Sequence, residues 1–153
     1  MSFAENTSVP VERSKAEIEG MLSRYGADQF VSGWSDNEAR IQFRAKSRYV
    51  RFILTLPNRS EKRFTQDPRS SWRKRADGAA QKAYDQEIRR LWRALALVVK
   101  AKLEAVQSGI TSFEDEFMAQ IIMPDGKTVS EHARPMIAQA YEQGKVTALL
   151  PGW

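Results

Sequence analysis

The sequence predicts an α+β domain: a three-stranded antiparallel sheet packed on one long helix, with flanking helices in the order α-β-β-β-α-α-α. Three observations predict it. The stretch 79–107 contains no Gly or Pro and is rich in Ala, Leu, Lys, Arg, Gln and Glu, the good helix formers. Between Phe30 and Pro57 the apolar residues recur every second position, the period of a half-buried sheet. The chain has 153 residues, 42% apolar and 28% charged, which suits a single domain spanning 1–153.

Residues 1–11 are polar and are expected to be loosely held. A helix follows from Glu12 to Tyr25. Ala16, Ile18, Met21, Leu22 and Tyr25 form its apolar side, and Gly26 stands where a left-handed stop belongs. Three strands come next, FVSGW, ARIQFRA and RYVRFILTLP. Asp36 and Asn37 both tolerate left-handed backbone and suit the first hairpin turn, and Lys46-Ser47 make the second. Ile41 and Phe43 alternate with Arg40, Gln42 and Arg44. Val50, Phe52, Leu54 and Leu56 alternate with Tyr49, Arg51, Ile53 and Thr55. Pro57 ends the sheet.

Residues 58–78, NRSEKRFTQDPRSSWRKRADG, have no period and read as a long basic loop. The long helix then runs to Gln107. Its expected core stripe is Tyr84, Ile88, Leu91, Leu95 and Val98, widened by Trp92, Val99, Leu103 and Val106. Gly109 is placed to end it. A further helix begins after Ser112 with an acidic first turn, Glu114, Asp115 and Glu116, and an apolar row of Phe113, Phe117 and Ile121. Pro124-Asp125-Gly126 is a turn. Thr128 and Glu131 have capping-box spacing for a last helix, which either kinks at Pro135 or starts there. The apolar tail KVTALLPGW is expected to lie against the body.

Charge is the one functional signal. The net charge is +5, yet 40–75 holds twelve Lys/Arg and two acids, Glu61 and Asp67, and the remainder of the chain carries a net −5. A basic segment on a mildly acidic body calls for a polyanion, DNA first, or an acidic protein surface as partner. Two groups are candidates for nucleic-acid contact. Arg40, Arg44, Tyr49 and Arg51 should project from the sheet face opposite the core, with Lys46 and Arg48 at the turn. A charged outer face is also what any half-buried sheet presents, so the loop is the stronger signal. There Lys62, Arg63, Arg69, Arg73, Lys74 and Arg75, with Arg59, surround Trp72 and Phe64. Cations neutralise phosphates while exposed aromatic rings stack on bases.

Catalytic patterns are poor. There is no phosphate-binding or dinucleotide-binding glycine loop. His132, the sole histidine, has no Ser or Cys partner motif, and the first-turn position of the acidic cluster explains it electrostatically. The chain has no Cys, so zinc and thiolate chemistry are not expected. No cofactor or metal is implied. No apolar run approaches the ~20 residues of a membrane span. With no signal-peptide pattern at the start, the expected location is the cytoplasm of a bacterial host.

The α-β-β-β-α order recurs among double-stranded-RNA-binding domains, and β-β-β-α among single-strand annealing proteins; order alone carries no function. The stretch LWRALALVVKAKLEAVQSGITSFEDEFMAQIIMPDGKTVSE, with RYGADQF and RYVRFILTLP, resembles a family of small uncharacterised proteins encoded by bacteriophages and prophages, from about Val9 to Trp153. The resemblance implies a setting of phage DNA replication, recombination or defence evasion, and carries over no functional residues. The leading expectation is a non-catalytic nucleic-acid-binding accessory to phage DNA replication or recombination. The alternative is a protein-binding inhibitor of a host defence complex. A small metal-dependent enzyme ranks last.

Overall fold

A computed structural model describes residues 4–146. The expected α+β architecture is present. Helix α1 spans Val11–Tyr25, and strands β1 Gln29–Trp34, β2 Glu38–Ala45 and β3 Arg48–Thr55 follow. Then come α2 Lys62–Thr65, the long α3 Asp77–Gln107, α4 Phe113–Phe117 and α5 Val129–Gln143. The tail from residue 147 lies outside the described residues.

The sheet is antiparallel in the order β1-β2-β3, with Ile41 opposite Phe52 and Phe43 opposite Val50. The inward positions of β2 and β3 are buried: Ala39, Ile41, Phe43, Ala45, Val50 and Phe52. They join Ile18 and Leu22 of α1 and Trp92, Leu95, Ala96, Val99 and Leu103 of α3 in one core. Phe117 closes that core edge-on to Phe43 and Phe52. Ile122 donates its N–H to the Tyr49 carbonyl, so the chain after α4 covers the outer edge of β3.

The stripe on α3 is rotated from the expected one. Trp92, Leu95, Ala96, Val99 and Leu103 are buried, whereas Leu91 is half-buried and Val98 is 43% exposed. In the run ALALVV apolar residues occur all round the helix, so periodicity alone does not choose the face. Packing against α1 does: Lys15 of α1 lies over the Trp92 ring, and Arg93 of α3 meets Glu17 of α1.

The helix ends follow their caps. Gly109 takes φ 75°, Ile110 N–H donates to the Ala105 carbonyl and Gly109 N–H to Val106, the paired bonds of a Schellman ending. Thr128 and Glu131 form the reciprocal capping box, so α5 starts at Val129 and carries Pro135 inside it. The turns differ from expectation. Asp36 and Asn37 keep negative φ, in a wider turn closed by Ser35 N–H to Glu38 carbonyl. Lys46 and Ser47 instead take φ 50° and 61°, the backbone of a two-residue hairpin. The start of the chain is held more firmly than its composition predicts. Ala4 is buried, and Gln86 Nε2 of α3 donates to the Glu5 and Thr7 carbonyls.

Candidate nucleic-acid interface

The twelve candidate residues fall into two groups, one on β2 and β3 and one in the segment between β3 and α3. Arg40, Arg44, Tyr49 and Arg51 share the outer sheet face, as alternation requires, because Arg44 stands opposite Tyr49 and Gln42 opposite Arg51. Arg40, Arg44 and Arg48 meet carboxylates, whereas Arg51 is held by neutral acceptors only. Arg40 pairs with Glu38 at 2.6 Å, Arg44 with Asp28 at 3.4 Å and Arg48 with Glu114 at 3.7 Å. Arg51 Nε donates to Gln42 Oε1, and its Nη1 to the Gly126 carbonyl. The Arg44 guanidinium also lies over the Tyr49 ring, occupying one face of that aromatic.

The segment between β3 and α3 has more structure than its lack of period predicts. Asn58 to Glu61 form an N-terminal turn in which Asn58 Oδ1 accepts from Ser60 N–H and Glu61 Oε1 from Asn58 N–H. One turn of helix, α2, then places Phe64 edge-on to Tyr84 of α3, with ring centroids 5.5 Å apart. Phe64 is 3% exposed, so it anchors the segment and offers no ring to a base. Beyond it the chain folds back on itself. Asp67 N–H donates to the Arg73 carbonyl and Arg75 N–H to the Thr65 carbonyl, leaving 68–72 as a projecting tip. Asp67 Oδ1 braces that tip by accepting from Arg69 N–H.

The tip carries Trp72, which is 87% exposed. In the same segment, Lys62, Arg69, Arg73 and Lys74 have no acidic partner among the described residues. Arg63 differs: it pairs with Glu61 at 2.7 Å and with Glu87 at 3.5 Å. The Arg75 guanidinium donates to the Arg63 carbonyl. A concavity of about 450 Å³ opens between α2 and the tip, lined by Lys62, Arg63, Arg69, Arg75 and the hydroxyl residues Ser70 and Ser71, with Asp67 its one acid. Ser70 Oγ is buried there without a hydrogen-bond partner. The concavity thus gathers cations and hydroxyls, and the exposed indole of Trp72 follows its lining residue Ser71 in the chain.

Beneath it lies a fixed ion-pair cluster on α3. Hydrogen bonding from Arg90 holds the Glu87 carboxyl below the usual carboxylate range, with the charges of Arg90 and Arg63 adding to the effect against partial burial. Elsewhere, His132 Nε2 meets Asp125 Oδ2 at 2.7 Å in an exposed pair. Glu114 and Glu116 of the acidic cluster face Arg48 and Lys102. Among the described residues no three acids or histidines gather in metal-binding geometry, and no helix is long and apolar enough to cross a membrane.

No family model, curated protein or solved structure matches the chain.

Proposed function

We propose that the protein is a non-catalytic binder of single-stranded nucleic acid, DNA first, and that it engages the strand through the tip at 68–72 and its return arm at 73–75 rather than through the sheet face. The observation that carries this reading is Trp72, exposed in a segment whose Lys62, Arg69, Arg73 and Lys74 have no acidic partner among the described residues. A large indole held in water at the end of a braced turn gains free energy when a base covers it. Only an unpaired base offers its face, which is why a single strand is the preferred partner. The sheet-face arginines would have to exchange existing carboxylate or carbonyl partners for phosphates, so their net gain is smaller. The resemblance to small phage proteins is the ground for placing the activity in phage DNA replication or recombination.

The test is a fluorescence-anisotropy titration with labelled single-stranded and duplex DNA of one sequence at two salt concentrations. Tighter single-strand binding that weakens with salt is expected. Trp72→Ala should cost roughly 1–3 kcal/mol with an unchanged salt slope, because stacking releases no ion. Equal affinity of the folded variant would remove Trp72 from the interface.

A protein partner is the second reading, favoured by one observation. Helix α5 buries none of its residues, and Ile137 and Tyr141 stand exposed on it. In that reading the tip meets an acidic surface of a host defence complex. Absence of DNA binding at low salt, with capture of such a complex abolished by charge removal at the tip, would establish it.

A further inference from the structure

A second concavity, of about 700 Å³, lies between the sheet end, α3 and the N-terminal segment that leads into α1, and Trp72 is not among its lining residues. Its floor is Trp92 and Tyr84 of α3, both buried, together with Leu56. Its rim is Trp34, the last residue of β1. By strand alternation Trp34 belongs to the inward face, since it stands opposite buried Ala39. It is nevertheless 76% exposed, because the helix layer stops short of it and the small Ala39 leaves the space open. An inward-facing indole left three-quarters exposed is a preformed stacking wall.

Charge at this groove is also of one predominant sign. Lys15, Arg59 and Arg89 line it against a single acid, Asp85, whose carboxylate accepts from Gln81. Arg59 is held in place from two sides: its guanidinium lies 4.1 Å from the Tyr84 ring centroid, and Nη1 donates to Gln81 Oε1 at 2.8 Å. Neither partner neutralises it, and no carboxylate pairs with it among the described residues. Lys15 is shared between Glu12 and the Trp92 face.

The geometry points to a nucleotide site: a planar aromatic ring stacked on Trp34 and a phosphate on Arg59. The phosphate would take the unused donors of an already oriented guanidinium, so little side-chain freedom is lost on binding. The ring would cover the indole. This chemistry is shared by a free nucleotide and by an unpaired nucleotide within a strand. The site does not depend on the tip reading.

Isothermal titration calorimetry with adenosine monophosphate tests it, with adenosine as the uncharged control. Saturable binding of the monophosphate is expected, weakened about five- to 150-fold by Trp34→Ala, as loss of one stacking contact requires. Arg59→Gln should weaken the monophosphate and leave adenosine unchanged. Both side chains are exposed, so the variants are expected to fold, and circular dichroism checks this. No saturable binding to the wild type, or equal affinity in folded Trp34→Ala, overturns the proposal. DNA binding that depends on Trp72, without monophosphate binding, would overturn this site and spare the tip; monophosphate binding without DNA binding would do the reverse. Where both occur, Trp34→Ala separates the sources. Lower affinity for single-stranded DNA as well marks a base of the strand, and loss confined to the monophosphate marks a free nucleotide.

Discussion

Glu87 and Ser47 show how single residues set local stability. The Glu87 carboxyl is depressed by its hydrogen bond from Arg90 and by the Arg90 and Arg63 charges. A carboxyl with a lowered folded pKa contributes stability above its unfolded pKa of about 4.3, and loses it as pH falls through the lower folded value. Glu87→Gln should therefore lower the melting temperature at pH 7, with the deficit shrinking as pH falls below about 4.3. A deficit constant from pH 7 to pH 3 would contradict the linkage. Ser47 is the opposite case, a residue in an unfavourable backbone state. At φ 61° its Cβ is strained, and glycine is not. Ser47→Gly should raise unfolding free energy by about 0.5–1 kcal/mol, after the greater freedom of the unfolded glycine is set against the relief. Urea denaturation checks it; destabilisation would mean the turn is not strained.

At the scale of the elements, legibility follows period. The strands and α1 were readable because Ile41, Phe43, Val50 and Phe52, and Ile18 and Leu22, repeat at spacings that admit one face only. On α3 the length was readable and the face was not, since Ala94 to Val99 offers two overlapping stripes. The choice between them is measurable. Leu95 is 5% exposed and Val98 43%. Leu95→Ala should cost about 2–5 kcal/mol and Val98→Ala about 0.5 kcal/mol or less in urea denaturation. Comparable losses would return Val98 to the core. Helix α2 was unreadable because a single turn has no period, and its anchor Phe64 finds Tyr84 only in three dimensions. Pro135 left the start of α5 open; the Thr128–Glu131 box decides it by satisfying the N-terminal N–H groups six residues earlier.

Over the whole molecule, the sequence located the charge and not its availability. Twelve cations between 40 and 75 look alike as letters. Folding brings Glu38 to Arg40, Asp28 to Arg44 and Glu114 to Arg48 at the second turn, and leaves Arg51 of the sheet face and Lys62, Arg69, Arg73 and Lys74 without acids among the described residues. The Glu38–Arg40 pair is two residues apart on one strand and follows from alternation, whereas Asp28 and Glu114 reach Arg44 and Arg48 from distant parts of the chain, so no local pattern announces those two. Trp72 was legible because its neighbours are polar. Trp34 was not, because alternation assigns it to the core and only the missing helix cover exposes it. The most direct measurement compares two folded triple variants for the salt dependence of single-stranded DNA binding. One replaces Arg69, Arg73 and Lys74 by Ala; the other replaces Arg44, Arg48 and Arg51. With roughly 0.7 per phosphate contact, the tip variant should flatten the slope of log K against log salt by up to about 2, and the sheet variant should leave it near the wild-type value. A flattened slope in the sheet variant with a wild-type slope in the tip variant would contradict the assignment of the strand to the tip.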